Sequence, residues 1–222
     1  MINVAIDGPA GAGKSTIAKE LANKIGFIYV DTGALYRTVA VHLLNENIDP
    51  KDTEKVEESL QNIKVTMKHM PDGQHMFLGG EDVTTKIRTP QVSMVASTSS
   101  AIPAVRAFLF ELQINMAEKY NVIMDGRDIG TVVLPNAQVK IFLTASAEIR
   151  ANRRLLDLKE KGIEDTFENV LADVKQRDYQ DENRAVAPLK PADDGVIVDT
   201  SELNFEQVLE TLEKIIKEKT NA

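Results

Sequence analysis

Short apolar runs occur at five places along the chain, and each run predicts a buried β-strand. The runs cover residues 2–6, 27–30, 122–125, 139–143 and 196–199. Between the first two, residues 15–25 carry apolar side chains three and four positions apart and end at Gly26, which predicts an amphipathic helix. A further helix is expected to begin at Tyr36. Strands that alternate with helices are typical of a doubly wound parallel sheet.

The middle of the chain follows a different pattern. Residues 63–67 and 75–78 alternate between apolar and polar side chains on either side of Pro71-Asp72-Gly73, which predicts a β-hairpin. Val83 is the candidate for a third short strand, so residues 60–88 are predicted to form a small β insertion. Residues 92–119 are then mostly helical in pattern, and residues 147–184 form a charged helical stretch.

Composition narrows the class of protein. A chain of 222 residues fits one α/β domain with small appendages. The formal net charge of -8 argues against a nucleic-acid partner, so any cations that bind phosphates must be gathered locally. The absence of cysteine excludes thiolate zinc sites and cysteine nucleophiles. No apolar stretch reads as a signal peptide or a membrane span, and a cytoplasmic location is therefore expected.

The turn after the first predicted strand matches the P-loop pattern, in which two glycines five positions apart are followed by lysine and serine. Glycines allow backbone N–H groups to wrap phosphates, and the helix that follows directs its positive end at the anion. The lysine is expected to reach the β- and γ-phosphate oxygens of ATP, and the serine hydroxyl to ligate Mg²⁺. The predicted nucleotide-binding residues are Gly8, Pro9, Ala10, Gly11, Ala12, Gly13, Lys14, Ser15 and Thr16, with Ser15 as the metal ligand.

A P-loop alone does not name a reaction, because kinases, ATPases and GTPase switches all use it. The guanine-reading Asn-Lys-x-Asp motif of GTPases is absent, since Asn23-Lys24 is followed by Ile25-Gly26. A kinase needs a second set of cations for its acceptor. Three segments can supply them: residues 31–37, residues 125–131 and the arginine-rich stretch. Each follows a predicted strand, so all three are expected to converge on the P-loop.

These segments carry a resemblance to a known family. The P-loop, DTGALYR at 31–37, GEDVTTKIR at 80–88, DGRDIGTVV at 125–133 and RDYQDENRAVAPL at 177–189 resemble the bacterial cytidylate kinases. The resemblance implies a three-layer α/β/α fold with a five-stranded parallel sheet, a nucleoside monophosphate-binding insertion and a helical lid. It implies a core of residues 1–33, 107–146 and 186–222, an insertion at about 34–106 and a lid at about 147–185.

The resemblance also implies roles for individual residues. It assigns the CMP phosphate to Thr32, Tyr36 and Arg37, and many relatives have serine where this chain has Thr32, so the hydroxyl is kept. It assigns the cytosine to Ser97, Arg106 and Asp128, with Arg184 contributing, and the sugar and its surroundings to Arg177 and Asp181. Because the family's lid supplies arginines to the transferring phosphoryl group, one or two of Arg150, Arg153 and Arg154 should be functional. The predicted catalytic residues are Lys14, Arg37, Arg127, Arg154 and Arg177.

The chemistry of cytosine agrees with these residue types. The exocyclic amine of cytosine donates a hydrogen bond, while N3 and O2 accept. A protein site that recognises cytosine therefore needs a carboxylate or hydroxyl beside cationic donors. Uracil presents an acceptor in place of the amine, and Asp128 is therefore expected to disfavour it. Asp128 could instead merely orient Arg127 or Arg184. Asp125 is expected to be a structural residue at a strand end, or to hold a water of the Mg²⁺ ion, rather than a general base.

The sequence thus predicts an enzyme that phosphorylates CMP and dCMP with Mg²⁺ and ATP by direct in-line transfer. Two alternatives stay open: a kinase for another small acceptor, such as UMP or shikimate, and a regulatory protein that binds nucleotides without turnover. The apolar face of the terminal helix, around residues 205–216, is as compatible with sheet packing as with a dimer contact, and a monomer is expected by default.

Overall fold

The computed structural model describes residues 1–160 and 162–220, and the chain forms two compact units. The first unit is Met1–Tyr29 with Asn121–Ala222, and the second is Val30–Tyr120. The strands are β1 (Asn3–Asp7), β2 (Ile28–Asp31), β3 (Val65–Met70), β4 (Gly73–Leu78), β5 (Glu81–Asp82), β6 (Val122–Gly126), β7 (Val139–Thr144) and β8 (Val196–Asp199). The α-helices are α1 (Lys14–Ile25), α2 (Thr32–Asn45), α3 (Thr53–Leu60), α4 (Pro90–Ser99), α5 (Pro103–Lys119), α6 (Ala147–Glu160), α7 (Phe167–Asn183) and α8 (Phe205–Thr220).

A five-stranded sheet with the order β2-β6-β1-β7-β8 confirms the predicted α/β class. Strand β1 pairs in parallel with β6 on one side and β7 on the other, and β7 pairs in parallel with β8. Strand β1 lies in the middle of the sheet, where both of its faces are covered. This explains why its residues are almost all apolar. All five strands lie where the apolar runs predict them, within one or two residues at each end.

Helices α1 and α8 cover the hydrophobic core of the first unit. Helix α1 buries Ile17, Ala18, Leu21 and Ala22 against the sheet, as its apolar spacing predicts. Helix α8 buries Val208, Leu212 and Ile216 in the same cluster, so the apolar stripe of the terminal helix is a packing face of this unit. An ion pair of 2.6 Å between Lys24 and Glu213 joins the two helices at their edge.

Helices α6 and α7 form a pair within the predicted lid segment, also in the first unit. They pack through a small cluster in which Ala151, Val170 and Val174 are buried. Helix α7 begins after Thr166, whose side chain accepts a hydrogen bond of 3.3 Å from the Asn169 N–H. Their polar faces leave most of their charged side chains available for electrostatic contacts.

The second unit contains the predicted β insertion. Strands β3, β4 and β5 form an antiparallel sheet, and Pro71 and Asp72 make the hairpin connection that the sequence predicts. The third strand is Glu81–Asp82 and ends just before Val83, so that prediction was wrong by one residue. Helices α2, α4 and α5 bury the apolar core of this unit, and the short helix α3 was not predicted.

Helix α2 begins at Thr32 rather than at the predicted Tyr36. The Asp31 carboxylate accepts a hydrogen bond of 2.9 Å from the Ala34 N–H and thereby caps the helix. The cap satisfies a backbone donor that has no partner inside the helix, which favours an earlier start.

Within the described ranges, no single helix is long and apolar enough to cross a membrane. Helices α4 and α5 meet the length and composition criteria only when taken together, and they meet at 103°.

Candidate active site

The P-loop of the first unit runs from the end of β1 into the first turn of α1. An added Cβ at Gly8 would lie 2.0 Å from the Leu143 carbonyl oxygen, so the loop leaves the sheet where no side chain fits. Gly13 caps α1 with φ of 87°, a left-handed conformation that glycine adopts without strain. The loop therefore directs the first turn of α1, with its unpaired N–H groups, at the phosphate-binding position that the motif predicts.

Lys14 is buried inside this loop. Its ammonium group donates a hydrogen bond of 2.7 Å to the Pro9 carbonyl. Burial lowers the Lys14 pKa well below its ordinary value, and the charge of Arg127 lowers it further, with a smaller contribution from Arg177. The Asp125 charge opposes these effects. The site thus gathers cations around a lysine whose charge is disfavoured until an anion binds.

Ser15 and Asp125 provide oxygen atoms at the mouth of the P-loop. The Ser15 hydroxyl donates to Asp125 Oδ2 at 2.8 Å, and Tyr29 donates its phenolic hydrogen to Asp125 Oδ1 at 2.9 Å. Ser15 itself is exposed. The described residues hold no group of three or more histidine, cysteine, aspartate or glutamate side chains arranged for a metal. A hydroxyl and a carboxylate still fit Mg²⁺, which prefers oxygen ligands and keeps waters and substrate oxygens for its remaining positions.

Asp7, at the end of β1, was not predicted as a site residue. Its carboxylate accepts hydrogen bonds of 2.8 Å and 2.7 Å from the N–H groups of Ile129 and Gly130. These residues begin a single π-helical turn, Ile129–Val133, directly after Asp128. Burial raises the Asp7 pKa to about 6, although both backbone hydrogen bonds oppose this rise. Asp7 therefore ties the start of the P-loop to the segment that carries the predicted base reader.

The predicted acceptor residues of the first unit form ion pairs with one another. Arg127 Nε donates to Asp181 Oδ2 at 2.8 Å, and Arg184 donates to Asp128 Oδ1 at 3.3 Å. Burial raises the Asp181 pKa, but the Arg127 charge and hydrogen bond outweigh burial and hold this pKa below its ordinary value. The structure therefore brings the DGRDIG segment together with the end of α7.

The three arginines in the predicted lid differ sharply in their surroundings. Arg150 is buried and makes a two-point ion pair with Asp178, at 2.9 Å and 2.7 Å, and it also donates to the Ala10 carbonyl at 3.1 Å. Arg153 donates to the hydroxyl and the carbonyl of Thr200, at 3.2 Å and 3.1 Å. Arg154 is half-buried and makes no hydrogen bond or ion pair with any residue that the structure describes. Arg154 is thus the one of the three with a guanidinium that no described residue holds.

The second unit holds the remaining predicted acceptor residues. Thr32 is buried at the start of α2, and the guanidinium of Arg37 pairs with Asp31 at 2.7 Å. The Arg106 guanidinium lies 5.8 Å from the centre of the Tyr36 ring, a cation–π contact. Ser97 lies half-buried on α4.

Comparison with known proteins identifies the family. A model of the family described as cytidylate kinase matches residues 4–218. This chain belongs to the cytidylate kinase family. A cytidylate kinase of Caldicellulosiruptor saccharolyticus is 53% identical over 209 residues, covering 94% of this chain and 92% of the relative. A cytidylate kinase of Clostridium botulinum is 46% identical over 216 residues, covering 97% of this chain and 98% of the relative. The resemblance predicted from the sequence is confirmed.

One solved structure, of an uncharacterized protein from Eubacterium ventriosum, shares the fold with a TM-score of 0.54. It is 12% identical, and the match covers 98% of this chain and 99% of that one. As a member of the cytidylate kinase family, the chain is an enzyme, a nucleoside monophosphate kinase. The predicted roles of individual residues and the predicted division into core, insertion and lid stay predictions.

Sequence reasoning missed several residues that hold this family's motifs in place. Asp7, Asp31 and Asp178 each place a carboxylate against a motif backbone or arginine. Asp7 and Asp31 could have been identified from the sequence, since each is a charged residue at the end of a buried strand. A buried charge needs a hydrogen-bond or ionic partner. Gln74, which bonds to the main chain of Asp31, carries no comparable signal.

Proposed function

We propose that the chain transfers the γ-phosphoryl group of ATP directly to the phosphate of CMP or dCMP, with Mg²⁺ bound. The observation that carries the proposal is the buried cationic site around Lys14. A lysine whose charged form is disfavoured by burial and by neighbouring arginines is stabilised when phosphate oxygens supply negative charge. The family match makes a nucleoside monophosphate the acceptor class.

The first unit would hold the donor. Backbone N–H groups of the P-loop and the Lys14 ammonium group would bind the phosphates of ATP, and Ser15, with Asp125 behind it, would hold Mg²⁺. A bound Mg²⁺ supplies charge neutralisation at the β- and γ-phosphate oxygens. Arg154 would contribute a further cation to the group in transfer, because no described residue competes for its guanidinium. Arg127 and Arg177 would stabilise the same negative charge, and the charge of each already acts on Lys14.

The acceptor would be bound by its phosphate and by its base. Thr32, Tyr36 and Arg37 would bind the phosphate of CMP. At pH 7 that phosphate is already largely dianionic, since its second pKa is about 6, so no strong general base is required. Base recognition would depend on the hydrogen-bonding side chains of Ser97, Arg106, Asp128 and Arg184. Asp181 would address the sugar and its surroundings together with Arg177.

One coupled assay tests the proposal: ADP release from Mg²⁺ and ATP is measured with CMP, dCMP, UMP, AMP, GMP and shikimate as acceptors. We expect the highest kcat/KM with CMP or dCMP. If turnover were highest with UMP or shikimate, that compound and not CMP would be the acceptor. ADP release that no acceptor stimulates would favour a regulatory nucleotide-binding protein. Omission of Mg²⁺ should abolish turnover with every acceptor, and turnover that survives chelation would refute the metal requirement.

A further inference from the structure

One side chain of the β insertion makes two hydrogen bonds to the main chain at the end of β2. The Asp31 N–H donates to Gln74 Oε1 at 2.8 Å, and Gln74 Nε2 donates to the Asp31 carbonyl at 3.1 Å. A primary amide can donate and accept side by side, so Gln74 pairs with this residue as a neighbouring strand would. Gln74 and Asp31 are 43 positions apart in the chain and both belong to the second unit.

Asp31 in turn holds Arg37, the cation assigned to the acceptor phosphate. Its Oδ1 accepts from the Ala34 N–H and caps α2, while its Oδ2 pairs with Arg37 at 2.7 Å and with Arg88 at 3.4 Å. The side chain of Asp31 is only 7% exposed, whereas that of Arg88 is 57% exposed. A carboxylate with so many partners has one usable orientation, and that orientation depends on where the Asp31 main chain is held.

The arrangement leaves Arg37 partly unsatisfied. Its Nε is buried and lacks a hydrogen-bond partner among the residues that the structure describes. The neighbouring Gly33 leaves room for the guanidinium, since an added Cβ would lie 2.8 Å from Arg37 Nη1. Arg37 is therefore folded back over the first turn of α2, where its position follows that of Asp31.

We propose that Gln74 is a positioning residue for the acceptor phosphate: its amide fixes the Asp31 main chain, and Asp31 then sets the position of the Arg37 guanidinium. The inference rests on the proposed function for the identity of the phosphate, which is that of CMP. It gives the β hairpin a role in phosphate binding that passes through Asp31 and Arg37.

The test separates the phosphate from the base. Gln74→Met keeps the length of the side chain and removes both hydrogen bonds, and Gln74→Ala is the second variant. Affinities for CMP and for cytidine are measured by calorimetry, and KM for CMP and for ATP by the coupled assay. We expect both variants to lower the affinity for CMP by about tenfold, since two hydrogen bonds are lost. The affinity for cytidine and the KM for ATP should change by less than twofold.

His69→Ala is the matched control, because His69 is exposed and lies directly opposite Gln74 on β3. It should change neither affinity. In an Arg37→Lys background the Gln74→Met substitution should have less than twofold effect on CMP, because its influence passes through Arg37.

Three results would overturn the inference: an unchanged affinity for CMP, an equal loss for CMP and cytidine, or equal wild-type affinities for the two ligands. A wild type that shows no turnover but still binds CMP more tightly than cytidine would instead count against the proposed function. The inference about Gln74 would then stand.

Discussion

The ion pair between Arg150 and Asp178 offers a sharp test of how the P-loop is held. Arg150 is 5% exposed and donates to the carbonyls of Ala145 and Ala10 as well as to both oxygens of Asp178. Asp178→Ala would leave a buried guanidinium charge without its counter-ion. Breaking a buried pair in this way costs about 3–5 kcal/mol in the free energy of unfolding.

The lower end of that range applies here, because the Asp178 side chain keeps 15% exposure to solvent. For a chain of this size, about 3 kcal/mol lowers the Tm by roughly 6–12 °C. Thermal unfolding followed by circular dichroism measures this change. The matched control is Glu148→Ala, since Glu148 pairs with Lys175 across the same two helices, with 55% and 58% of the side chains exposed. The control should leave the Tm within experimental error.

A second variant separates stability from the support of the P-loop. Arg150→Met combined with Asp178→Leu replaces the pair with apolar side chains and should recover most of the Tm. The KM for ATP should rise by about tenfold in this double variant, because the Ala10 carbonyl has lost its donor, Arg150. Equal Tm values for Asp178→Ala and Glu148→Ala would refute the buried pair. Full recovery of both Tm and KM in the double variant would refute the support of the P-loop.

Three further predictions concern the active site. Lys14→Ala should lower kcat by at least about 10³-fold without lowering the Tm, because it removes a buried amine whose charge the folded protein disfavours; turnover near that of the wild type would contradict the role of Lys14. Asp128→Asn should lower the ratio of kcat/KM for CMP over UMP by about tenfold, and an unchanged ratio would leave Asp128 as an anchor for Arg184. Burial raises the pKa of Asp7 from 3.8, its ordinary value, to about 6 in the folded protein. The folded protein therefore binds the proton more tightly than the unfolded chain does, and this stabilises the fold. The stabilisation is fully present below pH 3.8 and is lost as the pH rises through 6. Denaturant unfolding should therefore show the wild type gaining about 2 kcal/mol in the free energy of unfolding, relative to Asp7→Asn, between pH 7 and pH 4. A constant difference would be inconsistent with a buried, titrating Asp7.

The sequence predicts the strands and the P-loop well because their signals are local. An apolar run ended by Asp7-Gly8-Pro9 contains both the strand and its exit, and the glycines of the loop are read directly from their spacing. The early start of α2 was missed, although Asp31 was a visible cap candidate. The π-helical turn at residues 129–133 was missed because the Asp7 carboxylate that holds it lies 122 positions away.

The arginines of the predicted lid show how little the sequence pattern says about individual roles. Arg150, Arg153 and Arg154 follow one another on a single helix, and their spacing does not separate their roles. Their partners do: Asp178 is 28 positions from Arg150, and Thr200 is 47 positions from Arg153. Contacts of that sequence separation depend on tertiary structure, so only the folded chain distinguishes a buried anchor from an arginine available to a phosphate.

The close approach of Gly8 to β7 has a consequence for how this sequence can change. A Cβ at this position would lie 2.0 Å from the Leu143 carbonyl oxygen, which is main chain and cannot rotate away. Folding of the protein therefore requires glycine at position 8, whether or not a nucleotide is bound. A descendant of this chain that had lost ATP binding would still retain Gly8 under selection for stability alone, whereas Lys14 would be free to drift. Saturation mutagenesis scored only for abundance should therefore deplete every substitution at position 8 and tolerate many at position 14.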